Sequence, residues 1–247
     1  MTSPNRRLLL VPLLALVSLA CNAPATRAPQ APAKVYPTTA AVIPLSEPKA
    51  GEITVEQLAL VLPRHPVVVG FDVDDTLIFS APAFNALQPE YPADVIRPKN
   101  YAALTAEQKK QYHDFWNRLN EQYDDRSTPK QVARQILLMH LARGDTVWVI
   151  SKRQATVPPT DAVTRRYERM LGVKLANPVV QTNLADKTKF IAERGIEFYY
   201  GDADTDVTAA VAAGATPIRI KRAADSYSKD AVHNGQLGEI VVAGSEK

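Results

Sequence analysis

One stretch constrains the fold more than any other: Val67-Val68-Val69-Gly70-Phe71-Asp72-Val73-Asp74-Asp75-Thr76-Leu77. A short, β-branched apolar run reads as a buried strand. It ends abruptly in carboxylates, so a rigid strand presents acids at its tip. Side chains two apart on a strand share a face. Asp72 and Asp74 are therefore expected to converge if strand geometry persists that far.

The rest of the chain repeats the theme. Apolar strand-like runs at Thr146–Ile150, Val179–Val180, Ile196–Tyr200 and Thr216–Ile220 alternate with helical patterns at Thr160–Leu171, Asp186–Arg194 and Thr205–Ala213. Earlier helices are expected at Thr54–Leu62, with Thr54 as cap, at Pro82–Leu87, and at Thr105–Tyr123, opening on Thr105-Ala106-Glu107-Gln108. Another is expected to start at Thr128-Pro129, with proline in its first turn, and to end at Gly144. Alternating strands and helices imply an α/β fold, a parallel central sheet with helices on both faces. Ligands in such sheets bind beyond the carboxyl ends of the strands.

The chemistry falls at those ends. Asp72, Asp74 and Thr76 follow the first strand, and Ser151, Lys152 and Arg153 follow Val147–Ile150. Lys187 and Lys189 stand at the start of one helix. Gly201, Asp202, Asp204 and Asp206 follow Phe198–Tyr200. Singly, each has an ordinary explanation: a turn acid, a cap, a solvated lysine. Asp204 reads as an exposed turn acid. Together the acids repel one another unless a cation or a raised pKa relieves them. Oxygen ligands with no His or Cys nearby favour a hard ion such as Mg²⁺.

Residues 1–21 read as an export leader, with Arg6-Arg7 preceding an apolar run from Leu8 to Leu19 that is short for a membrane span. Ser18-Leu19-Ala20-Cys21 is similar to a bacterial lipobox, and Cys21 is the single cysteine of the chain. The expectation is a periplasmic lipoprotein anchored through Cys21; the plainer reading is a cleavable leader and a soluble periplasmic protein. Residues 22–50, rich in Ala, Pro and Thr, read as an extended tether. The domain proper is then 51–247. The formal charge of +3 drops to about +1 without Arg6 and Arg7, which gives no support for binding a nucleic-acid polymer.

The residues Phe71–Leu77, Ser151, Lys187 and Gly201-Asp202-Ala203-Asp204-Thr205-Asp206 resemble the four motifs of the haloacid dehalogenase superfamily. More closely, Phe79-Ser80-Ala81-Pro82, the stretch from Pro129 to Gly144, Tyr200 to Ala210, Arg219-Ile220-Lys221-Arg222-Ala223 and the tail Gly238–Val242 resemble the bacterial class B acid phosphatases. The similarity runs from about Thr54 to the C-terminus. It implies a Rossmann-like three-layer fold with a small helical cap at residues 80–125, a homotetramer, and one Mg²⁺ per subunit. It also implies hydrolysis of phosphomonoesters (nucleotides, aryl and sugar phosphates) through an aspartyl-phosphate.

In roles carried over from that resemblance, Asp72 is the nucleophile and Asp74 the general acid and base. Asp72, Asp202 and the Asp74 carbonyl hold the metal. Asp206, Thr76 and Arg153 support these groups. Ser151, Lys152 and Lys187 face the phosphate, with Lys189 the rival to Lys187. The family commonly has Thr-Gly-Arg where this chain has Ser151-Lys152-Arg153, so Lys152 either meets a polyanionic substrate or points to solvent. Phe84, Tyr91, Tyr101, Phe115, Trp116 and Tyr123 are candidates either for a leaving-group pocket or for the packing of the cap itself. Two other activities remain open at this point: a phosphotransferase to alcohols or nucleosides, and a non-catalytic phosphate-binding lipoprotein.

Overall fold

The computed structural model describes residues 51–184 and 186–246; the leader, the lipobox and the tether lie outside the described residues. Seven parallel strands form the central sheet. In chain order they are β1 (Glu52–Ile53), β2 (Val68–Phe71), β5 (Thr146–Ser151), β6 (Val180–Gln181), β7 (Phe198–Gly201), β8 (Thr216–Ile220) and β9 (Ile240–Val242). Across the sheet they lie β1-β9-β8-β7-β2-β5-β6. The strand that ends in the acids is thus interior, bonded to β5 on one side and β7 on the other. Val69, Phe71, Val149, Tyr200, Ile218 and Ile220 are buried in the sheet core. A strand covered on both faces must be apolar throughout, which is why these runs do not alternate.

The expected helices form, with small shifts at their ends. Helix α1 (Val55–Val61) starts in a capping box in which the Thr54 hydroxyl accepts from the Gln57 amide and the Gln57 side chain accepts from the Thr54 amide. Helices α2 (Ala81–Leu87), α3 (Ala93–Ile96) and α4 (Ala106–Arg118) follow, and α4 opens on the same kind of box between Thr105 and Gln108. A wider π turn, Leu119–Tyr123, and a tight turn, Asp124–Arg126, continue α4. Phe84, Leu87, Ile96, Phe115 and Leu119 form a separate apolar cluster there, with Tyr91, Trp116 and Tyr123 packed against it. Helices α5 (Gln131–Arg143), α6 (Ala162–Leu171), α7 (Thr188–Glu193) and α8 (Asp204–Ala212) connect the later strands. Gly144 closes α5 with φ +78°, a left-handed conformation open to glycine at little cost. No helix among the described residues is long and apolar enough to cross a membrane.

Two expectations are corrected. Thr128-Pro129 does not begin a helix; it is the short strand β4, antiparallel to β3 (Ile78–Phe79), with Ile78 opposite Pro129. The Lys130 amide donates to the Leu77 carbonyl at 2.9 Å, so the chain is held extended until α5 starts at Gln131. Strand geometry also does not persist from Phe71 to Asp74. The amides of Thr76, Leu77 and Ile78 all converge on the Val73 carbonyl, and Asp75 takes φ +60°. Strand alternation therefore does not place Asp72 and Asp74; the turn around the Val73 carbonyl does. The edge strand β1 was missed, because two residues, Glu52-Ile53, carry too little pattern to be seen.

Candidate active site

Every strand tip in the centre of the sheet contributes. Asp72 continues β2, and its amide donates to the Tyr200 carbonyl at 2.8 Å, which holds it beside the end of β7. Asp202 follows β7, and Asp206 lies one turn into α8. One carboxylate oxygen from each of Asp72, Asp202 and Asp206 lies within 4.8 Å of the others, and all three residues are buried. Gly201 makes this possible: a Cβ there would stand 2.3 Å from the Asp206 Cβ. The Thr76 hydroxyl lies 3.3 Å from both Asp72 Oδ2 and Asp202 Oδ1.

Lys187, 2% exposed, reaches into this cluster. Its Nζ pairs with Asp72 Oδ1 and, at 2.8 Å, with Asp206 Oδ1. Burial alone would lower its pKa, but Asp206 and Asp72 outweigh that and hold the ammonium firmly charged. Lys189 lies on the surface of α7 beside Glu193, at 3.7 Å. The two lysines are thus separated by geometry that spacing alone did not settle.

The carboxylates of the cluster crowd one another with like charge. Burial, and then Asp206, Asp202 and Asp74, push the Asp72 carboxyl well above its usual range against the pull of Lys187. Burial and Asp206 push Asp202 up to about 6, although Arg222 opposes them. The donor set is all oxygen, compact and crowded with like charge, and so it fits a hard divalent cation.

Asp74 lies close enough to act on Asp72 and to feel Lys187, but it is bonded by a different side chain. Its carboxylate is gripped at both oxygens by Arg153, at 2.8 Å from Nε and 2.6 Å from NH2. Burial would raise its pKa, but the guanidinium prevails and holds it below the ordinary carboxylate value. Ser151 is fully buried at the end of β5, and its Oγ accepts from the Arg153 amide at 3.1 Å. Lys152, between two buried neighbours, is exposed.

Four residues of the site escaped the sequence reading. Arg222 donates from Nε to Asp202 Oδ2 at 2.6 Å. It lies two residues beyond β8, so the same strand-end rule that found the acids could have found it. Lys130, 1% exposed, donates to the carbonyls of Asp75 (2.7 Å) and Lys221 (2.6 Å) and ties the β2 exit to the β8 exit. Burial lowers its pKa to about 8. Asp124 binds Arg153, and Tyr227 stacks on Phe84 with centroids 4.0 Å apart. Nothing in local sequence marks these contacts. Asp204, read as an exposed turn acid, instead joins the buried Arg219 (2.9 Å) to His233 (2.6 Å). Asp75 is buried, and its carboxylate accepts from the Ser226 hydroxyl.

Carboxylates from adjacent strand tips of a parallel sheet thus converge on one lysine. No family model matches the chain, but curated relatives do. A class B acid phosphatase from Klebsiella pneumoniae (strain 342) is 37% identical over 189 residues, 75% of each chain. Another from Enterobacter sp. (strain 638) is 32% identical over 230 residues, 91% of this chain and 92% of that one. A third, from Morganella morganii, is 35% identical over 200 residues, covering 78% and 79%. This chain belongs to the class B acid phosphatase family, a family of phosphomonoesterases. The non-catalytic alternative is thereby set aside. Among solved structures, a hydrolase from Pseudomonas syringae superposes with a TM-score of 0.49 at 16% identity, over 73% of this chain and 94% of that one. A HAD family hydrolase from Deinococcus radiodurans R1 with bound phosphate and sodium gives 0.46 at 16%, over 74% and 93%.

Proposed function

We propose that this chain hydrolyses small phosphomonoesters through a phosphoryl group carried on Asp72, with Mg²⁺ as cofactor. The observation that carries the reading is the pairing of Lys187 with both Asp72 and Asp206 inside the buried carboxylate cluster. Asp72 is the nucleophile. Burial and the neighbouring acids raise the Asp72 carboxyl; a cation held in the cluster would favour its ionised form, and Lys187 and the tip of β7 position it. In the first step an Asp72 oxygen bonds to phosphorus, the ester P–O bond breaks, and its electron pair leaves on the ester oxygen, which takes a proton from Asp74. Arg153 keeps that carboxyl low, and the negative charge of an entering phosphate would raise it so that it carries the proton. In the second step Asp74 removes a proton from water as the water oxygen bonds to phosphorus, and the bond to Asp72 breaks. A positioned acid and base of this kind is typically worth about 10²–10⁴-fold.

Asp72, Asp202 and the Asp74 carbonyl would hold Mg²⁺, with Asp206 beside them in the same cluster. When bound, the ion would offset the negative charge of the phosphoryl oxygens and of the carboxylates. Ser151 and Lys187 face those oxygens, and Lys152, exposed at the tip of β5, extends positive charge toward the substrate's outer groups. Residues 80–125 form the cap over the site in this reading, within a domain spanning 51–247. The leader and Cys21 point to export and a lipid anchor in the periplasm, and the family to a homotetramer.

Asp72→Asn tests the reading. Release of phosphate from an aryl phosphate with Mg²⁺ should fall to background while the thermal transition stays cooperative. Full residual activity would overturn the mechanism.

A further inference from the structure

Asp74 leaves the turn after β2 with both carboxylate oxygens bonded by Arg153, and Ser80 lies beside it. The Arg153 fork is itself held from the opposite side. Asp124 accepts from Arg153 NH1 at 2.9 Å and from NH2 at 3.1 Å, and Asn120 Oδ1 lies 3.3 Å from NH1. The Phe84 and Tyr167 rings lie 5.5 and 5.8 Å from the guanidinium carbon. Arg153 is 1% exposed and Asp124 and Asn120 are fully buried. The Ser127 hydroxyl donates to Asp124 Oδ1 at 2.8 Å, and the Ser127 amide to the Asp124 carbonyl at 3.0 Å. The chain Ser127, Asp124, Arg153, Asp74 thus runs without a gap from the turn after α4 to the acid at the β2 exit.

We infer that Asp124 is a positioning residue for proton transfer: it anchors the Arg153 fork so that Asp74 is aimed at the ester oxygen. The inference rests on Asp74 being the proton donor. A planar guanidinium bound at both edges fixes its partners in plane as well as in distance. With one edge released, the fork can turn and carry the Asp74 carboxylate with it. The competing role for Asp124 is to neutralise a buried arginine and no more. The two roles differ in what they do to different leaving groups. An alkoxide leaves only with a proton, whereas a dinitrophenolate leaves without one. Lost positioning therefore slows alkyl esters selectively, and a merely structural defect slows both alike.

The test compares kcat/KM, which reports the steps through ester cleavage, for a primary alkyl phosphate and for dinitrophenyl phosphate. Wild-type full-length enzyme is measured with Mg²⁺ beside Asp124→Ala, Asp124→Asn and Asp74→Asn. Asp124→Ala should lose at least roughly tenfold more with the alkyl ester than with the dinitrophenyl ester. Asp124→Asn, which keeps one acceptor oxygen, should recover part of the difference. If Asp124→Ala does not fold, Ser127→Ala, which removes a single anchor of Asp124, should show the same selectivity to a smaller degree. Equal losses on both esters, or none, in the Asp124 and Ser127 variants while Asp74→Asn remains selective would overturn the inference alone. An Asp74→Asn enzyme that slows both esters equally would overturn the assignment of Asp74, and the inference with it.

Discussion

Gly201 and Asp206 lie in contact across the turn from β7 into α8. A Cβ on Gly201 would come within 2.3 Å of the Asp206 Cβ and 2.7 Å of its Oδ2. The Asp206 carboxylate occupies the space of the missing side chain, and from there it meets Lys187. The same carboxylate accepts from the Ala203 amide at 3.2 Å, so one side chain both closes the turn and lines the site.

Gly201→Ala should therefore act on the site more than on the fold. Overpacking of this kind costs about 1–3 kcal/mol. Displacement of Asp206 also releases one of the two partners of Lys187. The expected result is a melting temperature lowered by a few degrees and a kcat lowered by about 10²-fold, read from thermal melts and steady-state phosphate release.

The carboxylate cluster predicts how stability responds to divalent ions. An ion that binds only the folded protein adds about 2.7 kcal/mol at a hundredfold excess over its dissociation constant. For a chain of this size that corresponds to roughly 5–10 °C in melting temperature. Mg²⁺ should raise the melting temperature of the wild type by that order, and a chelator should reverse it. Asp202→Asn keeps one oxygen for Arg222, turns its amide to the Thr76 hydroxyl and removes the charge, so its melting temperature should no longer respond to Mg²⁺. An unaltered response would remove Asp202 from the ion's ligands.

His140 predicts a loss of stability in acid that has nothing to do with the site. The ring is fully buried, with Nδ1 2.6 Å from Asp145 Oδ2 and Nε2 2.7 Å from the Tyr200 hydroxyl. A neutral ring donates from Nδ1 and accepts from Tyr200, which satisfies all three groups. Burial lowers the pKa of His140 below the ordinary 6.5 of a histidine, against the pull of Asp145. Below that value the unfolded chain binds a proton that the folded chain refuses. Stability therefore falls as pH drops from about 6.5 toward the folded value, by up to about 1.4 kcal/mol per pH unit. Asp145 lies below the ordinary 3.8 of an aspartate, because burial is outweighed by His140, the Val67 amide and Arg143. Its contribution is present above 3.8 and is lost only as pH falls through the lower folded value. Denaturant melts between pH 7 and 5 should show a steeper loss for the wild type than for His140→Gln.

Much of this architecture is legible in the chain. Thr54 with Gln57, and Thr105 with Gln108, announce two helix starts, because a capping box is a contact between residues three apart. The apolar runs at Val67 and Thr146 announce interior strands, because a strand covered on both faces can carry no polar side chain. Asp72, Ser151 and Asp202 are marked by their position after such runs, and Lys187 by its place at a helix start together with the resemblance to the haloacid dehalogenase motifs. Thr128-Pro129 misled because proline suits both a first helical turn and an edge strand. The choice was made by Ile78, fifty residues earlier in the chain.

By itself the sequence determined where strands end and that acids stand there, since both follow from the local order of apolar and polar residues. Only the tertiary structure decided how those acids divide. Asp72 pairs with Lys187 beside Asp202 and Asp206, and Asp74 pairs with Arg153, because the chain winds around the Val73 carbonyl instead of continuing as a strand. The partners that complete the site, Arg222, Lys130 and Asp124, come from segments far apart in the chain. No local pattern marks them, because burying a charge requires a partner close in space but sets no rule for where in the sequence that partner lies.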